Sequence, residues 1–216
     1  MKYYFENDGY CVCCDKNVKF IATNSWYRDN YICSNCKSIP RERALMYLIE
    51  KFYPNYNLLD IHESSPCKRG ASLKLQNKCP NYIASQYYGE SDKGKIINGY
   101  RNENLESQTF KDESFDLVIT QDVMEHIFTV PLINKERTTE CWAKLDDNNN
   151  IIFLKEKEYH GNPINPKGSP VTFHYGYDIV DLIYKSSGMV TQIFTIDNVD
   201  LGIRAEYIDV LISRKI

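Results

Sequence analysis

The chain has 216 residues, 43% hydrophobic and 25% charged, with a net charge of −3 and a pI of about 5.8. That length buries a real core and fits one domain with a small appendage, and the slight negative charge supplies no general basic field for a nucleic-acid backbone. No apolar run reaches the length of a membrane span, and the opening MKYYFENDGY lacks the apolar stretch of a signal peptide, so the expected location is the cytoplasm.

Cys11 and Cys14 form one CxxC and Cys33 and Cys36 a second. Two such turns suit a tetrahedral zinc ion, and the residues between them, with Phe20, Ile21, Trp26, Tyr27, Tyr31 and Ile32, suit two small strands. So short a segment has little core of its own, and a metal staple compensates. Four thiolates leave no open coordination position, so the metal is expected to be structural. Cys13 competes with Cys14 for the site, and the matching spacing of Cys33 and Cys36 favours Cys14. The alternative is reduced core thiols or disulfides. Residues 1–40 are therefore expected to form a zinc-ribbon-like module and 41–216 the main domain.

Pro40 opens an expected helix, RERALMYLIEKFY, with Ala44, Leu45, Leu48, Ile49 and Phe52 on its apolar face. Arg41 and Arg43 sit in its first turn, where a solvated end is preferred over an anion clamp. Asn57–Ile61 reads as the first strand of a main sheet, followed by the polar turn His62-Glu63-Ser64-Ser65-Pro66-Cys67, and Tyr82–Ser85 as the second strand, with Gln86 at its tip. A polar stretch with Gly89, Gly94 and Gly99 precedes Asn104-Leu105-Glu106.

Phe115–Phe128, FDLVITQDVMEHIF, is the most informative stretch. Leu117–Thr120 reads as a strand buried on both faces, ending at the polar tip Gln121-Asp122. Val123, Met124, Ile127 and Phe128 follow at helical spacing. A buried strand thus delivers polar groups to the carboxyl edge of a sheet, where ligands bind in open α/β sheets.

Pro131–Leu145 is an expected helix, Asp146–Asn150 a turn, and Ile151–Leu154 a fifth strand. The loop from Lys155 to Pro170 is long enough to suggest function, and Tyr159, His160 and Asn162 supply donors and acceptors, with His174 shortly after. The other reading of this loop is a stiff surface connection. Gly176–Ser187 is a helix ended by Gly188, and Val190–Ile196 and Tyr207–Ser213 are the last strands. The alternation gives an α/β fold with a doubly wound, mostly parallel sheet.

The phrase FKDESFD, the strand after it and the pair Glu125-His126 resemble class I methyltransferases that use S-adenosylmethionine. The order of cysteine pairs, Arg-rich helix, Glu63 turn, Phe-Asp strand and Glu-His pair resembles bacterial members with an N-terminal zinc ribbon. The resemblance implies a Rossmann-like methyltransferase fold with an antiparallel last strand. It implies S-adenosylmethionine at Glu63, Ser64, Gln86, Asn104, Leu105, Gln121 and Asp122, with Gln86 on the ribose and Asn104 on the adenine amino group. This chain departs from the usual acidic-Gly-x-Gly turn and has Gln86 where the family has an acid. His126 is the first choice for general base and His160 the second; packing or a structural hydrogen bond is the other reading of His126. Tyr159, Asn162 and His174 are expected to line the acceptor site. The expected activity is O-methylation of a small polar or glycan acceptor. The alternatives are an RNA methyltransferase whose ribbon grips RNA, against which the charge argues, and a non-catalytic interaction protein.

Overall fold

The structure is a computed structural model that describes residues 4–121, 127–129, 131–132, 138–146, 148, 150–160 and 167–215. The chain divides into two compact units, residues 1–130 with 192–214, and 131–191 with 215–216.

In the first unit, β1 (Phe5–Cys11) and β2 (Lys16–Ala22) form an antiparallel hairpin from Phe5↔Ala22 to Cys11↔Lys16. A one-turn helix α1 (Tyr27–Asn30) leads into β3 (Tyr31–Cys33), which pairs with β2. Phe20, Ala22, Tyr31 and Cys33 are buried. α2 (Pro40–Phe52) follows as expected, with Pro40 in the first turn and the Glu42 carboxylate accepting from the Ile39 amide at 3.2 Å. Its buried Ala44, Leu45, Leu48 and Ile49 join Phe20, Tyr31, Ile61, Ile119 and Val210 in one core, so the cysteine module is packed into this unit rather than appended to it.

Asn57 and Leu58, expected to begin a strand, lie instead in a turn of 3-10 helix (Tyr56–Leu58) with Leu58 exposed. The strand is β4 (Ile61–Ser64), all of it buried. The signal was hard to read because His62, Glu63 and Ser64 are polar, yet each side of this strand is covered. α3 (Gly70–Lys78) crosses to β5 (Tyr82–Gln86), and a hairpin of β6 (Ile96–Ile97) and β7 (Tyr100–Asn102) precedes β8 (Leu117–Gln121). β9 (Ile127–Thr129) is a strand where helical spacing was read; Ile127 and Thr129 favour extended backbone, and the ladder to β8 fixes it.

In the second unit, β10 (Glu140–Cys141), β11 (Ala143–Leu145), β12 (Ile151–Phe153), β13 (Tyr159–His160), β14 (Ser169–Pro170) and β15 (Phe173–His174) form three two-stranded antiparallel ladders, β10 with β15, β11 with β12 and β13 with β14. Where a helix up to Leu145 is expected, Glu140–Cys141 and Ala143–Leu145 are strands, because each segment finds a ladder partner. Asp146 closes the β11–β12 turn by accepting from the Asn148 and Asn150 amides. α4 (Ile179–Ser187) ends at Gly188, whose φ of 72° suits glycine.

β16 (Val190–Phe194) and β17 (Val210–Arg214) complete an eight-stranded sheet in the order β16-β17-β9-β8-β4-β5-β7-β6. β4 is parallel to both β5 and β8, β5 to β7 and β8 to β9, whereas β17 runs antiparallel to β9.

A doubly wound, mostly parallel sheet, and with it the Rossmann-like fold, is not what forms. Among the described residues, four of the five sheets are purely antiparallel with two or three strands, and only the large one is mixed. Of its parallel connections, β4 to β5 carries the helix α3, whereas β5 to β7 runs through the strand β6 rather than a helix. The expected antiparallel last strand is β17. No described helix is long and apolar enough to cross a membrane.

Candidate functional site

The first CxxC lies in the β1–β2 turn, and the second follows β3. In each, the first cysteine's carbonyl accepts from the residue after the second, Asp15 to Cys11 at 2.9 Å and Lys37 to Cys33 at 3.1 Å. Asp15 and Lys37 both take left-handed backbone, φ 54° and 62°. The two turns therefore have the same shape and face each other. The four Sγ atoms of Cys11, Cys14, Cys33 and Cys36 lie within 4.8 Å of one another. Cys11–Cys36 is 3.7 Å and Cys14–Cys33 is 3.9 Å. Zinc–sulfur bonds of about 2.3 Å give tetrahedral edges of about 3.8 Å, whereas a disulfide needs about 2.05 Å. The cluster thus fits a four-thiolate metal such as zinc.

Cys13 is not one of the four clustered thiols; it borders Cys11 and donates to the Glu42 carbonyl at 3.6 Å. Ser38 Oγ stands 3.5 Å from Cys11 and 3.2 Å from Cys36. Hydrogen bonds from Cys13, Cys33 and Cys36 pull the Cys11 thiol far down, and the contact with Cys11 pushes Cys33 far up. One thiolate thus suppresses the next, and a divalent cation removes that competition.

Arg43 is fully buried beside this cluster, not solvated as its place in a first helical turn suggests. It donates to the Ser38, Tyr31 and Gly202 carbonyls and lies 4.6 Å from the Phe20 ring centroid. A buried guanidinium offsets the surplus negative charge of four thiolates. Arg41 pairs with Asp29 at 3.2 Å.

The second candidate site is the carboxyl edge of the parallel strands. Ser64 ends β4, Gln86 ends β5, Asn104 lies two residues past β7, and Gln121 ends β8. Register places them on one edge, with Ser64 opposite Ser85 and Thr120. Ser65 follows β4 with φ 54° and donates its amide to the Ser85 carbonyl at 2.8 Å, so serine takes the left-handed turn that glycine usually supplies.

Glu63 does not face solvent. Its carboxylate accepts from Ser72 Oγ at 2.6 Å, Tyr82 OH at 2.7 Å and Gln121 Nε2 at 2.9 Å. Burial raises its pKa and these donors oppose the rise. Ser72 Oγ also accepts from the Cys67 amide at 3.1 Å, so one carboxylate joins β4, α3, β5 and β8 and steadies the loop after β4. Gln121 Oε1 is buried, with no hydrogen-bond partner among the described residues. On the other face of β4, His62 Nε2 meets Ser85 Oγ at 2.8 Å, its ring packs with Phe110 and Phe115, which also touch each other, and burial pushes its pKa down to about 4.

Asn104 donates to Glu90 at 2.8 Å and accepts from the Glu106 amide at 3.0 Å, with Leu105 half-buried beside it. Asn102, unsuspected from sequence, holds the neighbouring loop by donating to the Gly89 and Ser91 carbonyls and accepting from the Tyr88 amide. In the second unit, Tyr159 and His160 are exposed on the β13–β14 ladder. His174 stacks on Trp142 with centroids 3.8 Å apart and meets Glu158 at 2.8 Å. Asp122, His126 and Asn162 lie outside the described residues.

No family model, curated protein or solved structure matches this chain. The four-cysteine cluster is the one metal-competent group among the described residues.

Proposed function

We propose that the chain is an S-adenosylmethionine-dependent methyltransferase acting on a hydroxyl of a small polar or glycan acceptor, with a structural zinc ion. The observation that carries this reading is the row Ser64, Gln86, Asn104 and Gln121 on the carboxyl edge of adjacent parallel strands, beside a left-handed turn at Ser65. Such an edge collects ligands because strand ends present backbone and polar groups that no ladder uses. The resemblance of residues 110–126 to methyltransferases supplies the cofactor class.

In this reading Gln86 hydrogen-bonds the ribose, and the Asn104 and Leu105 segment meets the adenine. Glu63 acts indirectly, fixing Gln121 and the turn after β4. Bound cofactor supplies an electrophilic methyl group. This chain's residues would align the acceptor oxygen with that methyl group, and His126 would take its proton.

The test is transfer of labelled methyl groups to a polysaccharide extract by the zinc-loaded protein. The reading expects label above a heat-inactivated control, lowered roughly 10²–10⁴-fold in His126→Ala with cofactor affinity little changed. Absence of transfer to any hydroxyl-bearing fraction counts against it.

A further inference from the structure

A separate cleft of about 600 Å³ opens in the first unit where Trp26–Arg28 meet residues 195–197 and 204–206. Its volume is that of a small-molecule site. Trp26 is 44% exposed, yet its ring is held in place. The indole Nε1 donates to Asp29 at 2.8 Å, Asp29 is pinned by Arg41 at 3.2 Å, and the Tyr207 ring lies 6.1 Å away. Elsewhere in the lining, Arg204 forks onto Asp197 with Nε and Nη2 at 2.7 and 2.8 Å.

The charges lining the cleft balance, Arg28 and Arg204 against Asp197 and Glu206. An anionic ligand meets two carboxylates, and a cationic one meets two guanidinium groups. A wholly apolar ligand would desolvate a bidentate ion pair without replacing its hydrogen bonds. A neutral molecule with one flat apolar face and a rim of hydroxyls satisfies all these groups. We propose that the cleft binds a neutral saccharide, with a pyranose face stacked on Trp26 and its hydroxyls on the Asp197–Arg204 pair.

Its place in the fold suits this. Val210 at the start of β17 pairs with Thr129 at the end of β9, and β9 runs parallel to β8, which runs parallel to β4. Residues 204–209 therefore enter the sheet on the edge where β4 and β8 end. β17 is three strands from β4, roughly 14 Å across the sheet. Saccharide binding here does not require the methyl-transfer reading, and a binding assay without turnover keeps the two separate.

The chain has two tryptophans, so Trp142→Phe leaves Trp26 as the sole reporter. Zinc-loaded Trp142→Phe protein is titrated with maltotetraose, cellotetraose and fully N-acetylated chitotetraose, and with a heparin tetrasaccharide and polyuridylate as anionic probes. The proposal expects a saturable change in Trp26 emission with at least one neutral tetrasaccharide, weakened about tenfold or more by Arg204→Ala at unchanged zinc content. Calorimetry on Trp26→Ala should show the same loss. Unchanged emission with all three neutral sugars up to about 10 mM, or a response confined to the anionic probes, overturns it.

Discussion

Glu42 in the first turn of α2 holds its carboxylate against the α-carbon of Gly70, where α3 begins, and pairs with Arg69 at 2.9 Å. The same residue's carbonyl accepts from Cys13, which lies inside the first CxxC turn. One short path therefore runs from the cysteine cluster through α2 to the loop after β4. Gly70 has φ 57°, and a Cβ there would collide with the Glu42 carboxylate. Gly70→Ala should cost about 2 kcal/mol from the left-handed backbone and the displaced carboxylate together. For a chain of this size that lowers Tm by about 4–8 °C. An unchanged Tm would show that this contact does not form.

The cysteine assignment separates cleanly by variant. Cys11→Ser, Cys14→Ser, Cys33→Ser and Cys36→Ser should each lose bound zinc, while Cys13→Ser should keep one equivalent by elemental analysis, because its thiol points at Glu42. Zinc kept in Cys14→Ser and lost in Cys13→Ser would exchange their roles.

His62 makes the fold acid-sensitive. Its ring is fully buried, and burial holds its pKa at about 4, below the ordinary value near 6.5. The unfolded chain then binds the proton more readily, so the stability is fully present above about pH 6.5 and is lost as pH falls toward 4. The full window is worth about 3 kcal/mol. Urea midpoints at pH 7.5 and 4.5 should differ more for the wild type than for His62→Gln, which can still meet Ser85. Equal differences in the two proteins would remove His62 as the cause.

Lys74 ties the first CxxC turn to two helices. Its buried ammonium donates to the Val12 carbonyl at 2.7 Å and to Glu50 at 2.6 Å, and pairs with Asp15. Burial works against its charge, and the two carboxylates outweigh that and raise its pKa. Lys74→Met should destabilise by about 2 kcal/mol, below the cost for a fully buried pair because Asp15 and Glu50 keep partial solvent contact. Denaturant melts at neutral pH measure it, and a variant as stable as wild type would mean the cross-link carries nothing.

The four-cysteine cluster was legible because CxxC spacing is a local property, fixed within one turn. α2 and α4 were legible for the same reason, through helical periodicity. β4 was misplaced because its polar His62 and Glu63 are satisfied by Ser85, Ser72, Tyr82 and Gln121, partners far away in sequence. The segments 127–129 and 140–145 carry apolar spacings that either a helix or a strand can use, and ladder partners decided between them. Arg43 reads as a solvated end until Gly202 and the cysteine module close over it.

The most direct test of the account is calorimetric titration of the zinc-loaded chain with S-adenosylmethionine. The account predicts one site per chain, weakened about tenfold by Gln121→Leu, which removes a side chain fixed by Glu63 at the strand edge, with zinc content unchanged. Absence of binding at about 1 mM cofactor, with zinc fully loaded and the fold intact, would contradict it.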